Sequence, residues 1–140
     1  MARPTKVVLD ASVVVKWYNK EDYSGDALQV RDDYISGKVD LVEPYLLVYE
    51  VGNALRYNRE FGQSDVESAT RNLLNMQMDL REINAEELPT IVGLAYNYGI
   101  TFYDSTYIAI SDHEDMQFFT ADDKLLAKVP KHATHIREYV

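Results

Sequence analysis

Short apolar runs alternate with longer stretches of helical periodicity along this chain. Such runs are typical of buried β-strands, and apolar residues spaced three or four apart are typical of helices that pack on a sheet. Strands interleaved with helices predict an α/β protein built on a parallel sheet. The predicted strands cover 7–9, 39–42, 80–83 and 117–120, with a last strand or tail over 132–139.

The intervals between these strands hold the predicted helices. Two helices begin at capping boxes, Ser64 to Glu67 and Asn84 to Glu87, in which both ends of the box bind free N–H groups of the first turn. Pro44 suits the first turn of another helix, where its missing N–H is no loss. The predicted helices cover 13–17, 27–35, 44–57, 64–76, 84–99, 104–111 and 125–129.

Acidic residues stand where two of the predicted strands end. Asp10 directly follows the first strand, and Asp122 comes just after the strand over 117–120. Parallel neighbours end at the same edge of a sheet, and ligands bind in the crevice beyond that edge. Asp104, at the predicted start of a helix, and Glu50, within the apolar helix 44–57, can reach the same crevice. The pattern predicts a site where four carboxylates meet.

Carboxylates within a few Å of each other repel, and some of them take up protons unless a cation is present. Mg²⁺ and Mn²⁺ prefer carboxylate and water oxygens and leave water available for a substrate phosphate. A site of this kind suits phosphodiester hydrolysis, in which the ion polarises the phosphoryl oxygen and activates water.

Each acid also has an explanation without chemistry. Asp10, Asp104 and either Asp122 or its neighbour Asp123 could serve only as helix N-caps. Glu50 lies inside a helix and is no cap, but an ion pair with an arginine would be a sufficient partner for it. The spacing of the acids leaves both interpretations open.

Composition narrows the classes of protein. A chain of 140 residues with 46% hydrophobic content has the size of a single domain, spanning 1–140, with a core that needs no metal or disulfide. The absence of cysteine excludes thiolate chemistry and cysteine-ligated zinc. No apolar run approaches the roughly 20 residues that span a bilayer. The first residues lack the apolar stretch of a signal peptide, so we expect a cytoplasmic protein that does not bind membranes.

The net charge of −9 argues against a partner that carries phosphates. Two features weaken that argument, because bound cations would neutralise clustered acids and because the bases are unevenly distributed, with none between Arg81 and Lys124. The bases that closely follow the candidate acids are either ordinary solvated helix residues or the source of a local positive field that attracts phosphate. They are Lys16, Lys20, Arg56, Arg59, Lys124 and Lys128.

Four segments of the chain, in order, resemble the acidic motifs of PIN-domain ribonucleases, and most closely those of the VapC toxins of toxin–antitoxin pairs. The segments are VVLDASVVVKWY, PYLLVYEVGNAL, ITFYDSTYIAIS and FFTADDKL. The resemblance implies a Rossmann-like, three-layer α/β/α fold with a central parallel sheet of four or five strands. It also implies an endoribonuclease that uses Mg²⁺ or Mn²⁺, forms a homodimer, and is covered by the tail of a small VapB-like antitoxin.

The same resemblance implies roles for individual residues. The metal-binding and catalytic acids would be Asp10, Glu50, Asp104 and Asp122. The supporting residues would be Ser12 and Thr120 through their hydroxyls, with Asp123 beside the fourth acid and able to share or replace it.

Two rival functions remain, a non-catalytic interaction module and a Mg²⁺ phosphatase on a doubly wound sheet. The phosphatase is disfavoured because Asp10-Ala-Ser12 lacks the second acid of an Asp-x-Asp pair. Motifs for ATP hydrolysis, zinc proteolysis and serine esterase chemistry are absent. Tyr45 and Tyr49 lie one helical turn apart, a spacing that favours packing at a core or a subunit contact over stacking on bases.

Overall fold

A computed structural model describes residues 3–140. Five strands and the helices between them follow the order predicted from the sequence. The strands are β1 Thr5–Leu9, β2 Val39–Pro44, β3 Asp79–Arg81, β4 Gln117–Thr120 and β5 Thr134–His135. The α-helices are α1 Ala11–Val14, α2 Ser24–Ile35, α3 Leu46–Arg56, α4 Gln63–Asn75, α5 Leu88–Tyr98, α6 Phe102–His113 and α7 Asp123–Lys128. Short 3₁₀ segments, Val15–Trp17, Ala85–Glu87 and Ile136–Glu138, adjoin α1, α5 and β5.

The strands form one parallel sheet in the order β3-β2-β1-β4-β5. The chain therefore moves outward from β1 through β2 to β3, and then crosses back to place β4 on the other side of β1. In the register of that pairing Val8 lies beside Phe118 and Leu9 beside Phe119. A reversal of this kind is a topological switch point, where the loops after two neighbouring strands separate and leave a crevice. The predicted three-layer α/β/α fold is confirmed, with five strands in its central sheet.

The centre of the molecule is apolar on both faces of the sheet. Val7, Val8 and Leu9 are at most 2% exposed, as expected for a central strand covered by helices. The wall formed by α6 is buried from Ser105 to Ser111, and within it the ring of Tyr107 stacks on that of Phe118 with centroids 6.0 Å apart. The sheet edge that carries Asp10 is therefore anchored by close packing.

The second strand is longer than predicted. β2 continues past Val42 because Glu43 and Pro44 pair with Leu80 and Arg81 of β3. The prediction that Pro44 opens the next helix is wrong, because Pro44 ends the strand and α3 begins at Leu46. The pairing partner that decides this boundary lies more than thirty residues away in sequence.

The two predicted capping boxes have different outcomes. Asn84 and Glu87 form the expected reciprocal pair, with N···O distances of 3.2 and 3.3 Å. The box predicted at Ser64 is wrong by two residues, because α4 begins at Gln63 and Asp65 accepts a hydrogen bond from the N–H of Gly62 at 2.7 Å. Within residues 3–140, every helix is too short or too polar to cross a membrane.

Candidate active site

Asp10 lies at the switch point, immediately after β1. Its backbone N–H donates to the carbonyl of Phe119 at 3.3 Å, and its side chain is only 5% exposed. Both carboxylate oxygens accept hydrogen bonds from hydroxyls, Oδ1 from Ser12 and Oδ2 from Thr120, each at 2.5 Å. The side chain of Asp10 makes no capping hydrogen bond to α1, so helix capping does not explain why an acid occupies this position.

The hydroxyls of Ser12 and Thr120 join the loops that follow β1 and β4. Their oxygens lie 3.3 Å apart, and Ser12 Oγ accepts from the N–H of Ala121 at 2.8 Å. Thr120 Oγ1 accepts from the N–H of Asp122 at 3.0 Å. The segment that carries the fourth candidate acid is therefore held against Asp10 by the two hydroxyls that the family resemblance implies.

Asp122 and Asp123 are adjacent but have different surroundings. Asp122 Oδ1 accepts from the N–H groups of Lys124 and Leu125 at 3.0 and 3.1 Å and so caps α7. The charge of Asp122 also raises the pKa of Asp10, so the two carboxylates are neighbours. The side chain of Asp123 is 83% exposed and lies 3.7 Å from Nε2 of His135. Of the pair, Asp122 is the one that faces the other acids.

Asp104 occupies the first turn of α6, but it is not the cap that the sequence suggests. Thr101 is the N-cap residue, and its Oγ1 accepts from the N–H of Asp104 at 2.9 Å. The carboxyl of Asp104 is half-buried and is left free of capping. Burial raises the pKa of Asp104, the nearby Asp122 raises it further, and Lys128 opposes the shift.

Glu50 extends from α3 toward the same region. An ion pair with an arginine would have explained this acid without chemistry, but its Oε1 instead accepts a hydrogen bond from the buried hydroxyl of Tyr107 at 2.7 Å. Burial raises the pKa of Glu50, the hydrogen bond from Tyr107 lowers it, and the charge of Asp104 raises it. A neutral donor orients this carboxylate without cancelling its charge.

A fifth acid, Glu43, was missed by the sequence analysis. It is fully buried on β2, where its Oε1 accepts from the N–H of Leu9 at 2.6 Å and its Oε2 has no hydrogen-bond partner. Burial raises the pKa of Glu43 well above its usual range, and the charge of Asp10 adds to the shift. The sequence signal that could have identified it is the two-residue period of a strand, because Val39, Leu41 and Glu43 share one face once the strand is extended.

Burial is the main cause that opposes charge on the acids at this edge of the sheet, and their mutual repulsion adds to it. Burial raises the pKa of Asp10 to about 7, its hydroxyl partners lower it, and Asp104 and Asp122 raise it again. Within the part of the chain that the structure describes, none of these five acids forms an ion pair with a lysine, arginine or histidine. We call the group of Asp10, Glu50, Asp104 and Asp122 the acidic notch.

The acidic notch fits a divalent cation in its chemistry, with an open geometry. All of its donors are carboxylate or hydroxyl oxygens, and no lysine, arginine or histidine within residues 3–140 forms an ion pair with its carboxylates. No three Asp, Glu or His side chains of residues 3–140 are grouped closely enough to hold one ion together. Mg²⁺ binds through one or two carboxylates and several waters, which is the arrangement that such spacing permits.

Known proteins resemble the chain in both sequence and fold. Exonuclease VapC9 of Pyrobaculum aerophilum is 30% identical over 97 residues, covering 69% of this chain and 73% of that protein. Ribonuclease VapC3 of the same organism is 28% identical over 129 residues, covering 89% of this chain and 95% of that protein. A toxin–antitoxin complex from Klebsiella pneumoniae contains a chain with a TM-score of 0.68 at 16% identity, covering 91% and 96%, which shows a similar fold.

A family model described as the PIN domain matches residues 7–132, nearly the whole chain. The match includes all four acids of the notch and both hydroxyls that hold Asp10. The protein belongs to the PIN-domain family.

Proposed function

We propose that this protein is a divalent-metal-dependent endoribonuclease and the toxin of a toxin–antitoxin pair. The observation that carries the proposal is the burial of Asp10 at the switch point, near Asp104 and Asp122, where no residue between 3 and 140 forms an ion pair with it. The names of two relatives, a ribonuclease and an exonuclease, support a nuclease. Structural similarity to a chain of a toxin–antitoxin complex supports the partner.

The residues of the notch have distinct roles in this proposal. Asp10 and Asp104 bind Mg²⁺ or Mn²⁺ directly, and Glu50 and Asp122 complete the site directly or through water. Ser12 and Thr120 fix the rotamer of Asp10, and Tyr107 fixes that of Glu50. When bound, the ion polarises the phosphoryl oxygen and makes its water more acidic. Asp123 points elsewhere and has no role in cleavage.

The first test compares Asp10→Asn with Asp123→Asn. We expect Asp10→Asn to keep the fold and to lose RNA cleavage in Mg²⁺ or Mn²⁺ by about 10³-fold or more, because the substitution weakens binding of the cation that stabilises the negative charge of the transition state. Asp123→Asn should cleave like the wild type. Gel assays on fluorescent RNA measure both. Cleavage by Asp10→Asn at the wild-type rate would refute the proposal.

A separate substrate is needed to distinguish endonuclease from exonuclease activity, because one of the two relatives carries the name exonuclease. A circular RNA has no ends, so only an endonuclease linearises it. We expect the protein to cut circular and linear RNA of the same sequence in the presence of Mg²⁺. Degradation of the linear form alone would show an exonuclease.

A non-catalytic interaction module is the second candidate, and it is favoured by the open spacing of the acids. Calorimetric titration with Mn²⁺ separates the two. A nuclease binds Mn²⁺ and loses that binding in Asp10→Asn, whereas a protein that binds no Mn²⁺ at millimolar concentration supports the module.

We also propose that two copies associate through α5. No charged residue occurs between Glu87 and Asp104, although the whole chain carries a net charge of −9. Leu88, Val92 and Tyr96 recur every four residues on one face of α5 and are 39%, 40% and 86% exposed. Two equally charged chains approach with least repulsion at a neutral apolar face.

Light scattering tests the dimer. Val92→Glu should give a monomer, because it introduces a charge into the apolar face. Ile35→Glu is the matched control, since Ile35 is also an exposed aliphatic residue, at 71%, but lies on α2. A wild-type protein that is monomeric at all concentrations would contradict the proposal.

The proposed antitoxin would cover the notch. Co-purified antitoxin should therefore stop RNA cleavage, and its proteolysis should restore cleavage. Cleavage that persists in the intact complex would contradict this arrangement.

A further inference from the structure

Positive charge is concentrated at the C-terminal end of the chain. Residues 82–123 contain nine acids and no lysine or arginine. Residues 124–140 contain four bases and one acid, Glu138. These two segments flank the acidic notch, because α6 contributes Asp104 and α7 follows Asp122 directly.

The bases that closely follow the candidate acids in sequence have different surroundings in the structure. Lys16 is 8% exposed and its amine forms an ion pair with Glu21 at 2.8 Å, so it is already neutralised. Arg56 is the last residue of α3, and its guanidinium lies over the ring of Tyr57, 5.3 Å from the ring centroid. Lys124 and Lys128 are exposed, and neither forms an ion pair with any residue between 3 and 140.

Both lysines of α7 lie beside the acids. The backbone N–H of Lys124 donates to Asp122, and Lys128 is four residues further on the same face of the helix. The amine of Lys128 donates to the carbonyl of Gly99 at 3.0 Å, just before α6 begins. Its charge also lowers the pKa of Asp104. Lys128 therefore lies at the rim of the notch, close to Asp104.

We propose that Lys124 and Lys128 bind the phosphodiester backbone of the RNA, so that the strand reaches the acidic notch across α7. This inference rests on the RNA substrate proposed above and adds the side from which the strand enters. The segment 82–123, which includes α5 and α6, contains no lysine or arginine that could bind the strand instead. Phosphate contacts by lysine supply most of the sequence-independent affinity for nucleic acids.

The test measures RNA binding without catalysis. A fluorescent single-stranded 20-mer is titrated with the Asp10→Asn protein in a chelator, and anisotropy is recorded at several salt concentrations. Lys124→Glu with Lys128→Glu should weaken binding at least 10-fold at low salt. The slope of log affinity against log salt should fall by about 1.4, since each contact with a single strand contributes about 0.7. Replacing both lysines by arginine should preserve affinity.

The matched control is Lys6→Glu with Lys38→Glu. It makes the same change in net charge at two exposed lysines near the amino ends of β1 and β2, on the opposite edge of the sheet. At about 0.1 M salt this control should change affinity less than about twofold, because Lys6 lies about 13 Å along β1 from Asp10, beyond the screening length of about 10 Å. An equal loss of affinity in both double variants would reduce the effect to overall charge and overturn the inference.

Other outcomes distinguish this inference from the proposed function. If Asp10→Asn abolishes cleavage but the α7 variant binds RNA normally, the function stands and the α7 contact is wrong. If the α7 variant loses antitoxin and keeps RNA, the lysines belong to a protein interface and the inference is overturned. If the wild-type protein binds RNA through α7 but does not cleave it, the contact stands and the nuclease is wrong.

Discussion

Acidic residues occur in two very different settings in this molecule. At the outer edge of the sheet Arg81 lies between two carboxylates, with N···O distances of 3.0 Å to Asp79 and 3.1 Å to Glu114. At the switch point the buried Asp10 and Glu43 accept hydrogen bonds from hydroxyl and N–H groups, and neither forms an ion pair with any residue between 3 and 140. The first group is paired and largely exposed, and the second is buried and unpaired.

The difference shows where the fold tolerates electrostatic cost. Exposed ion pairs contribute little to stability, and they are readily formed wherever a base is nearby. Unpaired buried carboxylates destabilise the metal-free protein, because burial and mutual repulsion oppose their charge. Perturbed acids that converge in a crevice are typical of functional sites, where stability is sacrificed for chemistry. Substitutions at four positions test the contrast, and they are ordered by the expected size of the effect on stability.

The largest effect is expected at Glu43. Glu43→Ala should lower the free energy of unfolding by about 2–4 kcal/mol, because it leaves the N–H of Leu9 buried without an acceptor and opens a cavity. Glu43→Gln keeps an acceptor oxygen and should cost less than about 1 kcal/mol. Urea denaturation at pH 6 measures both. Equal losses in the two variants would show that the hydrogen bond to Leu9 is unimportant.

Asp10→Asn should stabilise the metal-free protein by about 1–3 kcal/mol at pH 8, because it removes a buried negative charge. The pKa of Asp10 is raised to about 7 in the folded state, above its value in the unfolded chain. The wild type therefore gains stability as the pH falls through 7, and the advantage of the variant should shrink by pH 5. Denaturation in a chelator at both pH values measures this. If Asp10→Asn were less stable than the wild type at pH 8, the buried charge of Asp10 would not be destabilising.

Tyr107→Phe should cost about 1 kcal/mol, the usual contribution of one hydrogen bond. The aromatic packing on Phe118 is kept, but Glu50 loses the donor that orients it. RNA cleavage should fall further than stability suggests. The control is Tyr103→Phe, since Tyr103 is 59% exposed one turn earlier on α6. Identical cleavage by both variants would show that Tyr107 only packs.

Arg81→Met should have the smallest effect, no more than about 0.5 kcal/mol, because exposed ion pairs are weak and screened by salt. Thermal denaturation should show a small decrease in the melting temperature of the variant at low salt and little or none at high salt. A loss above about 2 kcal/mol would contradict the expectation that these exposed ion pairs contribute little to stability.

Much of the candidate site was predictable because its signals are local. An apolar run that ends in an acid identified Asp10, and an acid within an apolar helix identified Glu50. The partners of these acids were not predictable, because they come from distant segments. Glu50 binds Tyr107 on α6, 57 residues away, and no arginine within residues 3–140 forms an ion pair with it. Glu43 was missed because pairing with β3 extends β2 past the residue where its apolar run ends.

The sequence by itself determined the order of strands and helices, since hydrophobic periodicity and turn residues act over a few positions. Only the tertiary structure decided that β4 lies beside β1, with Thr120 against Asp10 across 110 residues. It also decided that Asp122 faces the notch while Asp123 faces His135. Strand order and side-chain surroundings depend on contacts between remote segments, and no local pattern encodes those contacts.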